Sequence, residues 1–195
     1  MLKKMFYAAA VLVFTVSLAL PQGKGGGGKG APKGPGMALT SPDIQDGGII
    51  DDKYTQAVPM PISPKLEWTN VPMATESFVL IMHDPDNALN KGTDDVLHWM
   101  VFNIPGTARS LAGSMSADAT LPDGTIQAKS LRGTPGYMGP GNAAINPYHH
   151  YTWELYALDA KLMLGPDATR ADVMKAMEGH TVGKAVLSAR FKRSQ

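Results

Sequence analysis

The sequence predicts an all-β fold, an antiparallel β-sandwich with a small peripheral helix near the C-terminus. Three observations predict it. Apolar runs of strand length recur along the chain, clusters of Gly, Pro, Asp and Asn separate them, and one late segment carries helix signals. The 195 residues, 44% of them hydrophobic and 18% charged, suit one globular domain with terminal extensions.

Residues 1–20 predict a secretory signal peptide. Lys3 and Lys4 precede an apolar run from Met5 to Leu20, and Ser17-Leu18-Ala19 offers small residues for cleavage after Ala19. The run is short for a membrane span, which needs about 20 apolar residues. An uncleaved anchor is the alternative. We therefore expect an exported protein, either periplasmic or extracellular.

Residues 21–36 consist almost entirely of Gly, Lys and Pro and predict a flexible basic linker. Such a segment has no apolar surface to offset the entropy lost on ordering. The run Gly25-Gly26-Gly27-Gly28-Lys29 is not typical of a phosphate-binding loop, because no strand precedes it and no helix follows it. Lysines of this tail could give peripheral contact with an anionic membrane or cell-wall polymer.

Four runs predict the main strands of a domain covering residues 37–195. Ser77–Met82 and Val96–Phe102 are continuous apolar runs rich in strand-forming residues. Tyr151–Leu158 alternates more visibly between apolar and polar residues, and Ala185–Phe191 lies near the end of the chain. Several strands with few helical segments favour a sandwich.

The one predicted helix runs from Thr169 to about Glu178. Thr169 and Asp172 form a T-x-x-D capping pattern, and Gly179 is a suitable C-terminal stop. The predicted apolar stripe consists of Val173, Met174 and Met177.

Charge and cysteine content exclude several classes of function. Five of the 18 Lys and Arg residues precede the first acid, Asp43, so the remaining 13 face 17 acidic residues, a formal net charge of −4. A mildly acidic domain does not suit nucleic-acid binding through a broad phosphate-neutralising surface. The chain has no cysteine, which excludes disulfides, thiolate catalysis and lipoprotein processing.

Three polar islands lie between the predicted strands. They are Asp84-Pro85-Asp86, then His98-Trp99 followed by Asn103-Ile104-Pro105, then Gly136–Pro140 with His149-His150-Tyr151. In this order they resemble the phosphatidylethanolamine-binding protein family, and most closely its bacterial Raf-kinase-inhibitor-like branch. The resemblance extends from about Leu39 to Arg193. It implies a β-sandwich, no cofactor, and a small pocket for phosphate-type anions or phospholipid head groups such as phosphoethanolamine.

The resemblance places Asp84, His98 and His149 in the pocket. Histidines are suitable there because they donate hydrogen bonds and change charge near neutral pH. Asp84 can orient a histidine, or accept from a protonated phosphate or an ammonium group. We expect Asp86 to cap its own turn instead.

The glycine-rich loop Gly136-Tyr137-Met138-Gly139-Pro140 is predicted to supply backbone N–H groups to the anion, because glycine leaves the backbone unobstructed. The site residues predicted from this loop are Gly136, Tyr137, Gly139 and Pro140. Tyr137 and Tyr151 are expected to form walls of the pocket.

Other polar residues are assigned structural roles. His83 and His150 are expected to point to the opposite face of the strand from the residues next to them, because strand side chains alternate. His180 is expected at the surface or in a cap. Trp68 and Trp153 are expected in the core. A metal site built from Asp84, Asp86, His98 and His149 is an alternative, but no ligand spacing supports it and no metal is predicted.

Two alternatives to small-anion binding remain open. The first is a protein-interaction module that inhibits a peptidase or kinase through the pocket rim at Gly141–Tyr148. This rim differs from the usual family pattern, and His150 replaces a usual arginine. The second is a hydrolase, although the chain has no G-x-S-x-G element and no carboxylate pair typical of a glycosidase. We predict a non-enzymatic protein.

Overall fold

The computed structural model of the protein describes residues 35–194. The predicted signal segment and residues 21–34 of the predicted linker, with their membrane contact, lie outside this range and stay predictions. Within residues 35–194, no helix has the length and apolar character needed to cross a membrane.

Within residues 35–194, the structure has eight strands and one α-helix. The strands are β1 (Ala38–Thr40), β2 (Leu66–Thr69), β3 (Ser77–Asp84), β4 (Val96–Pro105), β5 (Ser110–Leu111), β6 (Ile126–Gln127), β7 (His149–Leu158) and β8 (Thr181–Phe191), and the helix is α1 (Arg170–Ala176). A single turn of 3₁₀ helix covers Asp52–Tyr54.

The strands form two antiparallel sheets, in the orders β1-β2-β5 and β6-β4-β3-β7-β8. The predicted all-β, antiparallel fold is therefore confirmed. All four predicted strands lie in the larger sheet, each extending beyond its predicted bounds. β1, β2, β5 and β6 were not predicted as strands, because two to four residues are too few for a period-2 pattern to stand out.

The main core lies between the two sheets. Alternate residues of β3, including Leu80, pack with Trp153 of β7 and with Leu66 and Trp68 of the small sheet. Trp68 also stacks edge-on against Phe78, with ring centroids 5.2 Å apart. The prediction that Trp68 and Trp153 belong to the core is confirmed, since both are buried.

A second apolar cluster covers the opposite face of the larger sheet. Val79 and Ile81 of β3 pack there with Val173 and Met177, which are four residues, or about one helical turn, apart. Thr169 caps α1 through the predicted reciprocal bonds with Asp172. The prediction for Met174 is wrong: its side chain is 40% exposed, because the single turn between Val173 and Met177 faces the sheet and Met174 points aside.

The central three strands of the large sheet position the polar islands. β3 ends at Asp84, and its antiparallel neighbour β7 begins at His149. Both residues therefore lie at the same end of these two inner strands. His98 is on β4, the other neighbour of β3, beside a register shift between Met82 and His83. A shift of this kind changes which way nearby side chains point.

Candidate functional site

Asp84 and His149 form a buried ion pair or hydrogen-bonded pair. His149 Nδ1 lies 2.8 Å from Asp84 Oδ2, and the two side chains are 17% and 3% exposed, respectively. The other carboxylate oxygen, Oδ1, accepts the Asp86 N–H at 3.0 Å. Asp84 therefore caps the turn and fixes the imidazole, which leaves His149 Nε2 free to face a ligand.

The predicted role of Asp86 as the cap of the turn is wrong. Its carboxylate crosses to β7 instead, where Oδ2 accepts the His150 N–H at 2.6 Å and lies 2.8 Å from His150 Nδ1. Burial opposes ionisation, but these bonds from His150 outweigh it and lower the pKa of Asp86. Asp84 took the capping role because its position at the end of β3 brings its carboxylate over the turn.

His98 is buried and fixed by a backbone carbonyl. Its Nδ1 lies 2.9 Å from the carbonyl oxygen of Met138, so Nδ1 carries the proton and donates it. Its ring meets the edge of Tyr151, with centroids 5.1 Å apart. Burial lowers the pKa of His98, although Met138 and the charge of Asp84 oppose the lowering. His98 therefore favours the neutral form near pH 7.

Tyr151 has a fully buried side chain whose hydroxyl lies near the Asp84 carboxylate and the Gly141 N–H but makes no hydrogen bond of normal geometry within residues 35–194. Burial raises the pKa of Tyr151, and the negative charge of Asp84 raises it further. A buried hydroxyl without a partner costs about 1–3 kcal/mol. Such a group in a native protein needs an explanation.

The loop Gly136–Pro140 packs closely against the turn that follows the 3₁₀ helix. A Cβ atom on Gly139 would lie 2.7 Å from the carbonyl oxygen of Tyr54, and Gly136 has a φ of +90°. Tyr137 donates its hydroxyl to Tyr54 O at 2.8 Å and stacks edge-on against Trp99 at 5.4 Å. Glycine is therefore required at both positions for steric and backbone reasons.

The predicted use of this loop as a set of N–H donors stays a prediction, and several of its backbone groups already bond within the protein. The Met138 N–H donates to His98 O, and the carbonyls of Met138, Gly139 and Pro140 all accept hydrogen bonds from the protein. These bonds fix the loop. The N–H groups of Tyr137 and Gly139 have no acceptor in the described part of the chain.

An open groove of about 610 Å³ adjoins the site. Its lining residues are Asp86, Asn87, Gly141, Asn142, Ala143, Asn146, Pro147, Tyr148 and His149. His149 is thus the residue that connects the groove to the buried Asp84. The structure brings together Asp84, His98, His149 and Tyr151 at the end of the central strands, while Tyr137 lies farther in, between Trp99 and Tyr54.

The remaining histidines have other partners. His83 Nδ1 lies 2.6 Å from Asp95 Oδ2 on the helix-bearing face, and the exposed His180 pairs with Asp159 at 2.8 Å. No group of three or more His, Asp or Glu residues suited to a metal ion occurs among residues 35–194.

Sequence reasoning missed two residues beside the site, Gln56 and Arg132. Gln56 donates its side-chain amide to Gly139 O at 2.7 Å and accepts from Arg132 at 2.6 Å. Both contacts join segments that are 76 to 83 residues apart in sequence. Because neither residue stands in a motif, no local signal could have found them.

Comparison with known proteins identifies the family. The model of the phosphatidylethanolamine-binding protein family matches residues 40–192. This chain belongs to that family. A UPF0098 protein of Methanothermobacter thermautotrophicus is 39% identical over 157 residues, 80% of this chain and 99% of the relative. The UPF0098 protein YbhB of Escherichia coli is 31% identical over 161 residues, 80% and 99% of the two chains.

Solved structures of the phosphatidylethanolamine-binding protein family share the fold. Escherichia coli YbcL, described as a member of the mammalian family, superposes with a TM-score of 0.72 at 25% identity, covering 82% of this chain and all of YbcL. A Chlamydia trachomatis homologue of phosphatidylethanolamine-binding protein gives a TM-score of 0.70 at 29% identity, over 82% and 99% of the two chains. The resemblance stated from the three islands is therefore confirmed, including its bacterial branch.

The lowered pKa of His98 predicts acid sensitivity of the folded state. The unfolded histidine takes up a proton near its ordinary pKa of 6.5, and the folded one does so at lower pH. The contribution of His98 to stability is thus complete above pH 6.5 and is lost as the pH falls toward the folded pKa. In urea unfolding between pH 7.5 and 5, His98→Asn, which keeps a donor for Met138, should show a weaker loss than the wild type. An equal loss in both proteins would contradict this.

Proposed function

We propose that this protein binds a small phosphate-type anion between His149, His98 and the Gly139 segment. The observation that supports it most strongly is the buried Asp84–His149 pair, with the His149 imidazole oriented by Asp84 and reaching the groove. Family membership supports a binding protein in general terms. The specific anion is our inference from the site.

The donor set suits an anion of several oxygens. When protonated, His149 and His98 would each offer an Nε2–H donor, since the bonds of both rings within residues 35–194 go through Nδ1, and the Gly139 N–H has no acceptor there. The buried Tyr151 hydroxyl lies beside this set, near the Asp84 carboxylate and the Gly141 N–H. A bound oxyanion would favour the imidazolium forms of both histidines, because an opposite charge stabilises the protonated ring.

A binding role is supported by the way the two histidines are held. The two histidines are fixed by Asp84 and Met138, but no serine hydroxyl bonds to either ring in the described structure. Nucleophilic catalysis needs such a nucleophile within reach of its base. We therefore propose ligand binding rather than hydrolysis.

The test is titration calorimetry of the protein with phosphate, phosphoethanolamine, a short-chain phosphatidylethanolamine and acetate at pH 7. Binding of the phosphate compounds in preference to acetate supports the proposal. Binding of the short-chain lipid but not of phosphoethanolamine would assign the site to lipid rather than to a free head group. No heat with any phosphate compound at millimolar concentration would refute the proposal.

The Tyr151 hydroxyl gives a prediction with opposite effects on folding and binding. Tyr151→Phe removes a buried polar group without a partner, so the free energy of unfolding should stay equal or rise by about 1 kcal/mol. The affinity for phosphate should fall several-fold, because the hydroxyl is lost as a donor to the ligand. Urea unfolding and calorimetry measure the two effects. Unchanged affinity would show that Tyr151 only packs.

A protein partner at the rim is the second candidate. Ile145 of the rim is 90% exposed, and the Tyr148 ring beside it lies within 4.9 Å of Lys192 Nζ and 5.9 Å of Arg190 Cζ. Aromatic and basic residues of this kind are enriched at interfaces. A peptidase or similar partner bound there should be lost in Ile145→Asp and retained in His149→Ala, the reverse of the result expected for a small anion.

A further inference from the structure

Gln56 makes four hydrogen bonds, to the glycine loop, to Arg132 and to Arg193. Its backbone N–H donates to Pro140 O at 2.8 Å, and its side-chain Nε2 donates to Gly139 O at 2.7 Å. Its Oε1 accepts from Arg132 Nη2 at 2.6 Å, and its carbonyl accepts from Arg193 Nη2 at 2.7 Å. Each hydrogen-bonding group of Gln56 that faces the site is thus used by the loop or by an arginine.

Packing around Gln56 leaves its amide little freedom. A Cβ atom on Gly141 would lie 2.6 Å from both the carbon and the nitrogen of the Gln56 amide. On the other side, Gly139 lies against the backbone of Tyr54 and Thr55. The amide is therefore enclosed between the loop and the preceding turn, in one orientation with Nε2 toward Gly139 O.

This orientation determines where Arg132 lies. Because Oε1 of Gln56 points away from Gly139, it faces the exposed guanidinium of Arg132. Burial is the main cause of the lowered pKa of His98, and the positive charge of Arg132 adds to the lowering. Through Gln56 the guanidinium is tied to the carbonyl of Gly139, whose N–H belongs to the proposed donor set. Its other N–H groups make no side-chain hydrogen bond within residues 35–194.

We propose that Gln56 is a positioning residue that holds Arg132 at the mouth of the anion pocket, where the guanidinium favours dianionic phosphomonoesters over phosphodiesters. This rests on the proposed anion-binding function. A guanidinium presents several N–H donors in a fixed plane that matches phosphate oxygens. It also adds a permanent charge to a site that otherwise contains a carboxylate and two histidines.

The charge of the ligand is what such an arginine distinguishes. A phosphomonoester carries close to two negative charges at pH 7.5, since its second pKa is about 6, whereas a phosphodiester carries one. Phosphoethanolamine and glycerophosphoethanolamine carry the same amine, but the first is a phosphomonoester and the second is a phosphodiester. Removing the arginine charge should therefore lower the affinity for the monoester more than the affinity for the diester.

The test measures the affinities of both compounds by calorimetry at pH 7.5 for the wild type and four variants. Arg132→Gln removes the charge, Gln56→Met removes both amide contacts without adding a charge, and Gly141→Ala displaces the amide while leaving Gln56 in place. Arg109→Gln is the control, because Arg109 is an exposed arginine that bonds the carbonyls of Gly106 and Ala108 in another groove. Urea unfolding of each variant checks folding.

We expect Arg132→Gln to lower the affinity for phosphoethanolamine at least fivefold and the affinity for glycerophosphoethanolamine less than twofold. Gln56→Met and Gly141→Ala should lower the same ratio of affinities, and Arg109→Gln should leave it unchanged.

An unchanged ratio of affinities in Arg132→Gln, or an equal loss for both compounds in Gln56→Met, would overturn the proposal while leaving the anion site intact. A purely structural role of Gln56 would weaken both compounds together and would not change their ratio. A wild type that binds neither compound would refute the proposed function itself, and this inference with it.

Discussion

His149→Ala is expected to weaken phosphate binding at least tenfold and to lower the free energy of unfolding by about 3 kcal/mol. The stability loss arises because the Asp84 carboxylate, with a side chain only 3% exposed, would lose its imidazole partner. The binding loss arises because His149 is the site residue that connects the groove to the buried carboxylate. A hydrogen bond to a charged group contributes about 1.5–3 kcal/mol, which is at least a tenfold loss of affinity.

Two further variants separate these effects. His149→Asn keeps an amide donor near the position of Nδ1 and should restore part of the stability through Asp84, but not the binding that needs Nε2. His150→Ala is the matched control, because the neighbouring histidine pairs with an exposed Asp86 and should contribute less than about 1 kcal/mol. If His150→Ala lowered the affinity as much as His149→Ala, the binding site would have to lie on the outer face of β7. Calorimetry and urea unfolding provide both readouts.

Trp99→Ala is expected to destabilise the protein by about 4 kcal/mol. The indole is fully buried, donates Nε1–H to Gln127 Oε1 at 2.8 Å, and packs against Tyr137 of the glycine loop. The substitution leaves a cavity and removes the donor from a buried Gln127 amide. Because Tyr137 rests on this ring, the phosphate affinity should fall as well.

The effect of Trp99 is checked by urea unfolding against two controls. Trp99→Phe keeps part of the ring and should lose about 1–3 kcal/mol, chiefly from the unpaired Gln127 oxygen. Tyr148→Ala, at an exposed aromatic, should stay within about 0.5 kcal/mol of the wild type. A loss below about 1 kcal/mol in Trp99→Ala would contradict the packing described for this side of the sandwich.

The long strands were predictable because their apolar runs are long enough to show a pattern. Ser77–Met82 and Val96–Phe102 are buried on both faces, and the sequence shows them as continuous apolar segments. The helix cap at Thr169 was also predictable, since the capping pair is local in sequence. Met174 was not, because the pattern alone does not say which side of a two-turn helix meets the sheet.

The polar residues of the site were predictable in identity and less so in arrangement. Asp84 and Asp86 are two residues apart, and only the end of β3 decides that the first one caps the turn and the second one crosses to His150. Gln56 and Arg132 were not predictable, because the contacts that bring them to the glycine loop join distant segments. Such contacts depend on tertiary packing rather than on a motif.

The most direct measurement is nitrogen NMR of the five histidine side chains during titration with phosphate. The account predicts that the ring signals of His98 and His149 shift together and saturably, and that bound phosphate raises the pKa of His98. His83, His150 and His180, which pair with other carboxylates, serve as internal controls and should not move. Unchanged His98 and His149 signals at saturating phosphate, or shifts confined to His150 and His180, would contradict an anion site at the ends of β3 and β7.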